Sequence, residues 1–114
     1  MEAVRTARLR SARDIRRVIG ARCAAGSRHV LVHAGRGAVD HTRVAVVAGR
    51  RVGNAVMRNT AKRRIRAALR EQPLPRGYDL VVSGKTGADR APYGQLRDEV
   101  HQSISRATAR VRLS

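Results

Sequence analysis

The residues best suited to chemistry lie in one stretch, RRVGNAVMRNTAKRRIRAALR at positions 50–70. Arg50, Arg51, Arg58, Lys62, Arg63, Arg64, Arg66 and Arg70 are basic, and no acid stands among them. At about 100° per residue on a helix, Met57, Ala61, Ile65, Ala68 and Leu69 fall on one side. Arg58, Lys62, Arg66 and Arg70 recur every fourth residue on the other, beside Asn59 and Arg63. Like charges at this spacing oppose one another by roughly a few tenths of a kcal/mol per pair. Acids four residues away would relieve that repulsion, and none is supplied. A row left cationic suits a face that phosphates will neutralise. Asn54 fits an N-cap and Gly53 a tight approach before it, so backbone N–H groups at the helix start can also meet phosphate.

Chemistry by the protein alone is a different matter. Phosphodiester hydrolysis needs two positioned acid–base groups or a metal pair held by carboxylates. The acids Glu2, Asp14, Asp40, Glu71, Asp79, Asp89, Asp98 and Glu99 are scattered, and most read as caps, turns or helix surface. Asp98 and Glu99 are adjacent, and adjacent residues on a helix do not face each other. His29 and His33 share a strand face by pattern but stand about 13 Å apart along it, too far for one phosphate or one metal. The sequence offers no catalytic residue and no metal ligands of its own. Cys23 is the only cysteine, which excludes a disulfide framework and a cysteine-based zinc site.

The rest of the composition agrees with the helix. Against 8 Asp and Glu stand 25 Lys and Arg, a formal charge of +17 on 114 residues. Such an excess repels itself, and a polyanion relieves it by shedding its condensed counterions. Only Lys62 and Lys85 are lysines, and arginine favours bidentate phosphate contacts and stacking on bases. Residues 1–20 are interrupted by arginines throughout, and no apolar run approaches the roughly 20 residues that a membrane span requires. A cytoplasmic nucleic-acid partner is expected, and no membrane.

The length fits one domain, 1–114, with residues 1–10 as a mobile basic arm. Ser11 and Asp14 form a cap before a first helix over about 12–20. Arg28 to Ala34 reads as a strand with Val30 and Val32 on one face, and a short strand around 22–25 is weakly signalled. Thr42 to Ala48 is nearly continuous in apolar residues, as a strand buried on both faces would be. A helix follows over 54–70, stopped by Pro73, Pro75 and Gly77, then a strand from Tyr78 to Ser83. Pro92 fits the first turn of a last helix carrying Tyr93, Leu96, Val100, Ile104, Ala107 and Val111 as a stripe. The order α-β-β-β-α-β-α predicts an α+β fold, a two-layer α/β sandwich with about four strands.

The run from Arg50 to Asn59, with Lys62, Arg63 and Arg66, resembles the signature of the bacterial ribonuclease P protein: a basic pair, a hydrophobic residue, GNAV, a spacer, RN, two spacers and KR. Weaker likeness extends to Arg8-Leu9, Asp14-Ile15, Arg43-Val44 and Tyr78-Asp79. The resemblance implies a ribosomal-protein-S5-domain-2-like fold, in which the 42–48, 54–70, 78–83 crossover would be left-handed. It implies an accessory subunit of an endoribonuclease, a hydrolase whose catalytic groups lie in the RNA and which removes the 5′ leader of precursor tRNA. Arg50, Arg51, Gly53, Asn54, Arg58, Asn59, Lys62, Arg63 and Arg66 would then bind the catalytic RNA. Arg8, Ile15, Ile19 and His33 would line a leader-binding cleft between the first helix and the sheet. Mg²⁺ would be the cofactor, bound mainly by the RNA.

The cleft departs from the family, which commonly places aromatic residues there for stacking on leader bases. Here two isoleucines and a histidine stand instead. Outside this family, a ribosomal protein or RNA chaperone could use the same basic helix without serving a hydrolase. A DNA-reading helix is disfavoured, because no preceding helix and tight turn set up a helix-turn-helix.

Overall fold

The computed structural model describes residues 6–37 and 40–114. The elements are β1 (Thr6–Arg8), α1 (Ala12–Gly20), β2 (Cys23–Gly26), β3 (Val30–Arg36), β4 (Thr42–Ala48), α2 (Ala55–Arg70), β5 (Tyr78–Gly84) and α3 (Tyr93–Leu113). They build one five-stranded sheet in the order β1-β4-β5-β3-β2. β4 and β5 run parallel at its centre with α2 as the crossover between them, while β3 pairs antiparallel with both β5 and β2.

Alternation along the central strands sorts the helices. Val30, Val32 and Ala34 of β3, Val44 of β4, and Leu80 and Val82 of β5 face one way, into the main core. There they meet Ala61, Ile65 and Ala68 of α2 and Leu96, Val100, Ile104 and Val111 of α3. Ala45 and Val81 point the opposite way and form a smaller cluster with Leu9 and with Val18 and Ile15 of α1. So α2 and α3 cover one face, and α1 alone lies on the other. The α+β class is as the element order predicts; α1 adds a partial layer to the two-layer sandwich.

Two boundaries differ from the sequence reading. Within the expected arm, Thr6–Arg8 forms an edge strand, parallel to Thr42, Arg43 and Val44 of β4. Leu9 follows it at 2% exposure, and its N–H donates to the Val44 carbonyl at 2.9 Å. Three residues carry too little alternation to announce a strand; the edge of β4 and the burial of Leu9 supply the order that propensity does not. Residues 1–5 of the expected arm lie outside the described residues. β3 begins at Val30 rather than Arg28, because Ser27 N–H closes a turn on the Val30 carbonyl at 2.9 Å. That turn takes His29 off the strand face it was expected to share with His33.

Local signals set the other ends. The Ser11 hydroxyl accepts from Asp14 N–H at 3.3 Å and starts α1. Asn54 Oδ1 accepts from Met57 N–H at 2.9 Å and starts α2. Gly53 sits at φ +143°, where a Cβ would collide with the Met57 side chain. A side chain there would be strained twice over, in its backbone and against α2.

Candidate nucleic-acid interface

α2 is held by its inner face. Ala61, Ile65 and Ala68 are fully buried, with Met57 and Leu69 packed at the margin. This fixes the outward direction of Arg58, Asn59, Lys62, Arg63 and Arg66. Asn59 and Arg63 are exposed, while Arg58, Lys62 and Arg66 lean half-buried along the helix flank. None of these five side chains makes a hydrogen bond or ion pair with another described residue. Arg50 and Arg51 stand exposed in the turn before the helix. Asn54 takes one of the first N–H groups of α2, leaving those of Ala55 and Val56 at the same end. Val56 beside them is 74% exposed, an apolar contact surface among cations.

Arg64 departs from its neighbours. Its guanidinium donates to the Ala88 carbonyl at 2.8 Å and to that of Ala91, tying α2 to the loop before α3. It belongs to the fold, although its position in a basic run gives no hint of that.

The cleft residues divide. Ile15 and Ile19 are one turn apart on α1; Ile15 packs into the small cluster and Ile19 is 43% exposed. His33 lies on the same side of the sheet as α1, paired with Ala24 and Val81 of the adjacent strands. Its Nδ1 is buried with no partner among the described residues, and burial pushes its pKa down, favouring the neutral ring. Arg8 does not join Ile19 and His33. With Ile15 it lines a separate hollow of about 430 Å³ that reaches across β4 to Arg66 of α2.

Two buried carboxylates do work that the sequence did not disclose. Asp79, fully buried at the start of β5, accepts from Arg43 Nε at 2.9 Å and Arg43 Nη2 at 2.7 Å. Arg17 Nη2 of α1 adds a third bond at 2.5 Å, and Arg17 Nη1 reaches the Arg36 carbonyl at 3.2 Å. Burial alone would raise the Asp79 pKa; the two arginines outweigh it and hold the carboxyl below its usual range. Gly37 lets the backbone pass so close that a Cβ there would stand 2.6 Å from Asp79 Oδ1. Glu99 of α3 accepts from His29 N–H at 2.7 Å, from His29 Nδ1 at 2.8 Å and from Ser27 Oγ at 2.8 Å. Its burial opposes ionisation, yet these bonds, with one from Gln95, lower its pKa to about 2. Neither residue faces the cationic row.

That assignment decides what the site could hold. The acids nearest the leader cleft, Asp14 and Asp79, are turned onto Arg17 and Arg43. Among the described residues no group of three His, Cys, Asp or Glu side chains could hold a metal ion. The outward cations fit phosphate on a broad front. No helix among the described residues is long and apolar enough to cross a membrane.

Known proteins are similar to this chain. The family model described as Ribonuclease P matches residues 4–108. A protein of Symbiobacterium thermophilum named Ribonuclease P protein component is 43% identical over 68 residues, 58% of this chain and 59% of that relative's length. One of Streptococcus pyogenes with the same name is 34% identical over 88 residues, covering 73% of this chain and 70% of its own. Among solved structures, the RNase P protein from Thermotoga maritima superposes with a TM-score of 0.77 at 25% identity, over 87% of this chain and 96% of that one. The RNase P protein of Staphylococcus aureus gives 0.74 over 94% and 93%, at an identity of 22% that speaks for the fold alone. With the motif on α2, its outward cations and a family match over nearly its whole length, this chain belongs to the ribonuclease P protein family.

Proposed function

We propose that this chain is the protein subunit of a ribonuclease P ribonucleoprotein, in which the catalytic RNA removes the 5′ leader of precursor tRNA. The observation that carries the reading is the outer face of α2. Arg58, Asn59, Lys62, Arg63 and Arg66 share one side of a well-anchored helix, and no carboxylate among the described residues neutralises them. The cations take phosphates of the catalytic RNA, and Asn59 takes base edges or sugar hydroxyls. Arg50 and Arg51, with the helix start after Gly53 and Asn54, continue the surface toward the substrate.

The leader lies along α1 against Ile15, Ile19 and His33, with Arg8 nearby. Aliphatic side chains give it apolar contact in place of aromatic stacking, so arginines supply more of its affinity. Mg²⁺ serves the reaction bound mainly by the RNA, and the complex works in the cytoplasm. The protein's part is to neutralise phosphates that would otherwise resist close approach of the two RNAs.

The test is cleavage of precursor tRNA by a bacterial ribonuclease P RNA at low Mg²⁺, with and without the chain. Stimulation that fades as Mg²⁺ is raised is expected. A cleavage rate unchanged by the chain at every Mg²⁺ concentration would refute the reading.

A further inference from the structure

β1 covers only the first part of its neighbour's edge. Leu9 N–H to the Val44 carbonyl is the last bond between them. In a strand, alternate residues turn their N–H and C=O to the same edge. Val46 therefore presents a donor and an acceptor toward the side that β1 has vacated, and no described strand lies there. An open edge of this kind is ordinarily blunted or covered. Here it forms one wall of the hollow of about 430 Å³, enough room for a nucleotide.

The sides of the hollow are apolar: Ile15 of α1 and, by alternation with Ala45, Val47 of β4 on one face of the sheet, and Leu69 of α2 on the other. Its rim carries Arg8, Arg66 and Arg70, and no carboxylate among the described residues lines it. None of these three guanidinium groups makes a hydrogen bond or ion pair with another described residue. Elsewhere on the same elements arginines are taken up: Arg17 and Arg43 by Asp79, Arg64 by two carbonyls. Apolar sides, a backbone donor–acceptor pair at the edge between them and unneutralised cations at the mouth match the three parts of a nucleotide.

We propose that this hollow takes one unstacked nucleotide of the catalytic RNA. Its base slots in at the β4 edge between Ile15 and Val47 on one side and Leu69 on the other, with its polar edge on the Val46 backbone, and its phosphate lies between Arg8, Arg66 and Arg70. The inference rests on the ribonucleoprotein reading above and adds to it a base pocket beside the cationic row. The catalytic RNA is the source because Arg66 and Arg70 continue the α2 row. Of the expected leader path, Ile19 and His33 stay outside the hollow, while Arg8 and Ile15 stand at the boundary where leader and catalytic RNA would meet.

Two measurements test it on the full chain. In the first, amide chemical shifts are followed while adenosine 5′-monophosphate is added, with ribose 5-phosphate as the control lacking a base. Saturable shifts at Val46 and Val47 with the nucleotide, absent with the sugar phosphate, are expected. Equal shifts from both compounds would reduce the hollow to a cation cluster and overturn the proposal. In the second, Arg70→Glu, at an exposed position, is assembled with the catalytic RNA. Affinity for that RNA should fall about tenfold or more, while the preference of the assembled enzyme for long-leader over short-leader substrate persists. Loss of that preference with RNA affinity intact would make the leader the occupant, against the proposal. Arg58→Ala with Asn59→Ala separates the two levels: if that pair lowers RNA affinity and Arg70→Glu does not, only the hollow fails. If neither does, the ribonucleoprotein reading fails with it.

Discussion

The arginines around Asp79 and those along α2 are the same residue in opposite employment. At the start of β5, Arg17 and Arg43 converge on one buried carboxylate and bolt α1 to the sheet. Along α2, Arg58, Arg63 and Arg66 stand beside Lys62 with no acid among the described residues to answer them. The difference lies in where the carboxylates are placed. In a chain with few acids, Asp79 marks the place where the fold spends two cations on itself. What remains unmatched is the surface available to RNA.

The sharpest way to break this contrast is Asp79→Ala. It leaves two guanidinium groups facing each other without their anion, and removing one member of a buried ionic cluster costs about 3 kcal/mol. Chemical denaturation should show that loss, while the variant, folded at low temperature, binds RNA like the parent. Lost RNA affinity in the folded variant would mean that the two regions are coupled.

The converse substitution is Arg58→Ala with Asn59→Ala. RNA affinity should drop about tenfold to a hundredfold, and the slope of log affinity against log salt should shrink by roughly one, for the one cation removed. Unfolding free energy should stay within about 0.5 kcal/mol of the parent. Stimulation like that of the parent would make the row a solvated face.

Acid tests the second buried carboxylate. The Glu99 pKa is about 2 in the fold against 4.5 as the reference, so its bonds stabilise the ionised form. A depressed folded pKa means the contribution is present above pH 4.5 and lost as pH falls toward 2. Glu99→Gln should flatten that part of the stability profile; an unchanged acid limb would show that the Glu99 bonds contribute nothing. The smallest effect is expected from Arg64→Gln, which gives up two bonds to carbonyls and should cost about 1 kcal/mol. RNA affinity should hardly move, although the position lies within the basic run.

Much of this was legible in the sequence. The stripe of Ala61, Ile65 and Ala68 oriented α2 correctly, and the apolar run of 42–48 and the alternation after Tyr78 located the central strands. Caps at Ser11 and Asn54 lie where their side chains and spacing put them. What was not legible depends on partners distant in the chain. Thr6–Arg8 is a strand only because β4 offers an edge. Asp79 and Glu99 looked like a strand opener and a helix-surface acid, since burial of a carboxylate is decided by what folds over it. Arg64 could not be told from Arg63, because their different fates depend on the carbonyls of Ala88 and Ala91. Val44 and Leu9 could not announce the hollow, which exists because β1 stops early.

The Asp79 cluster also bears on the order of folding events. Its arginine partners lie 36 and 62 residues away along the chain, on different elements. Stripping water from the carboxylate is unfavourable until both guanidinium groups arrive, and α1, β4 and β5 must already be close for that to happen. The cluster should therefore close after the main barrier has been crossed. In kinetic measurements Asp79→Ala would then hasten unfolding and leave the refolding rate nearly untouched, with a φ-value close to zero. The bolt would act as a latch that lengthens the lifetime of the folded chain rather than as a seed around which it forms.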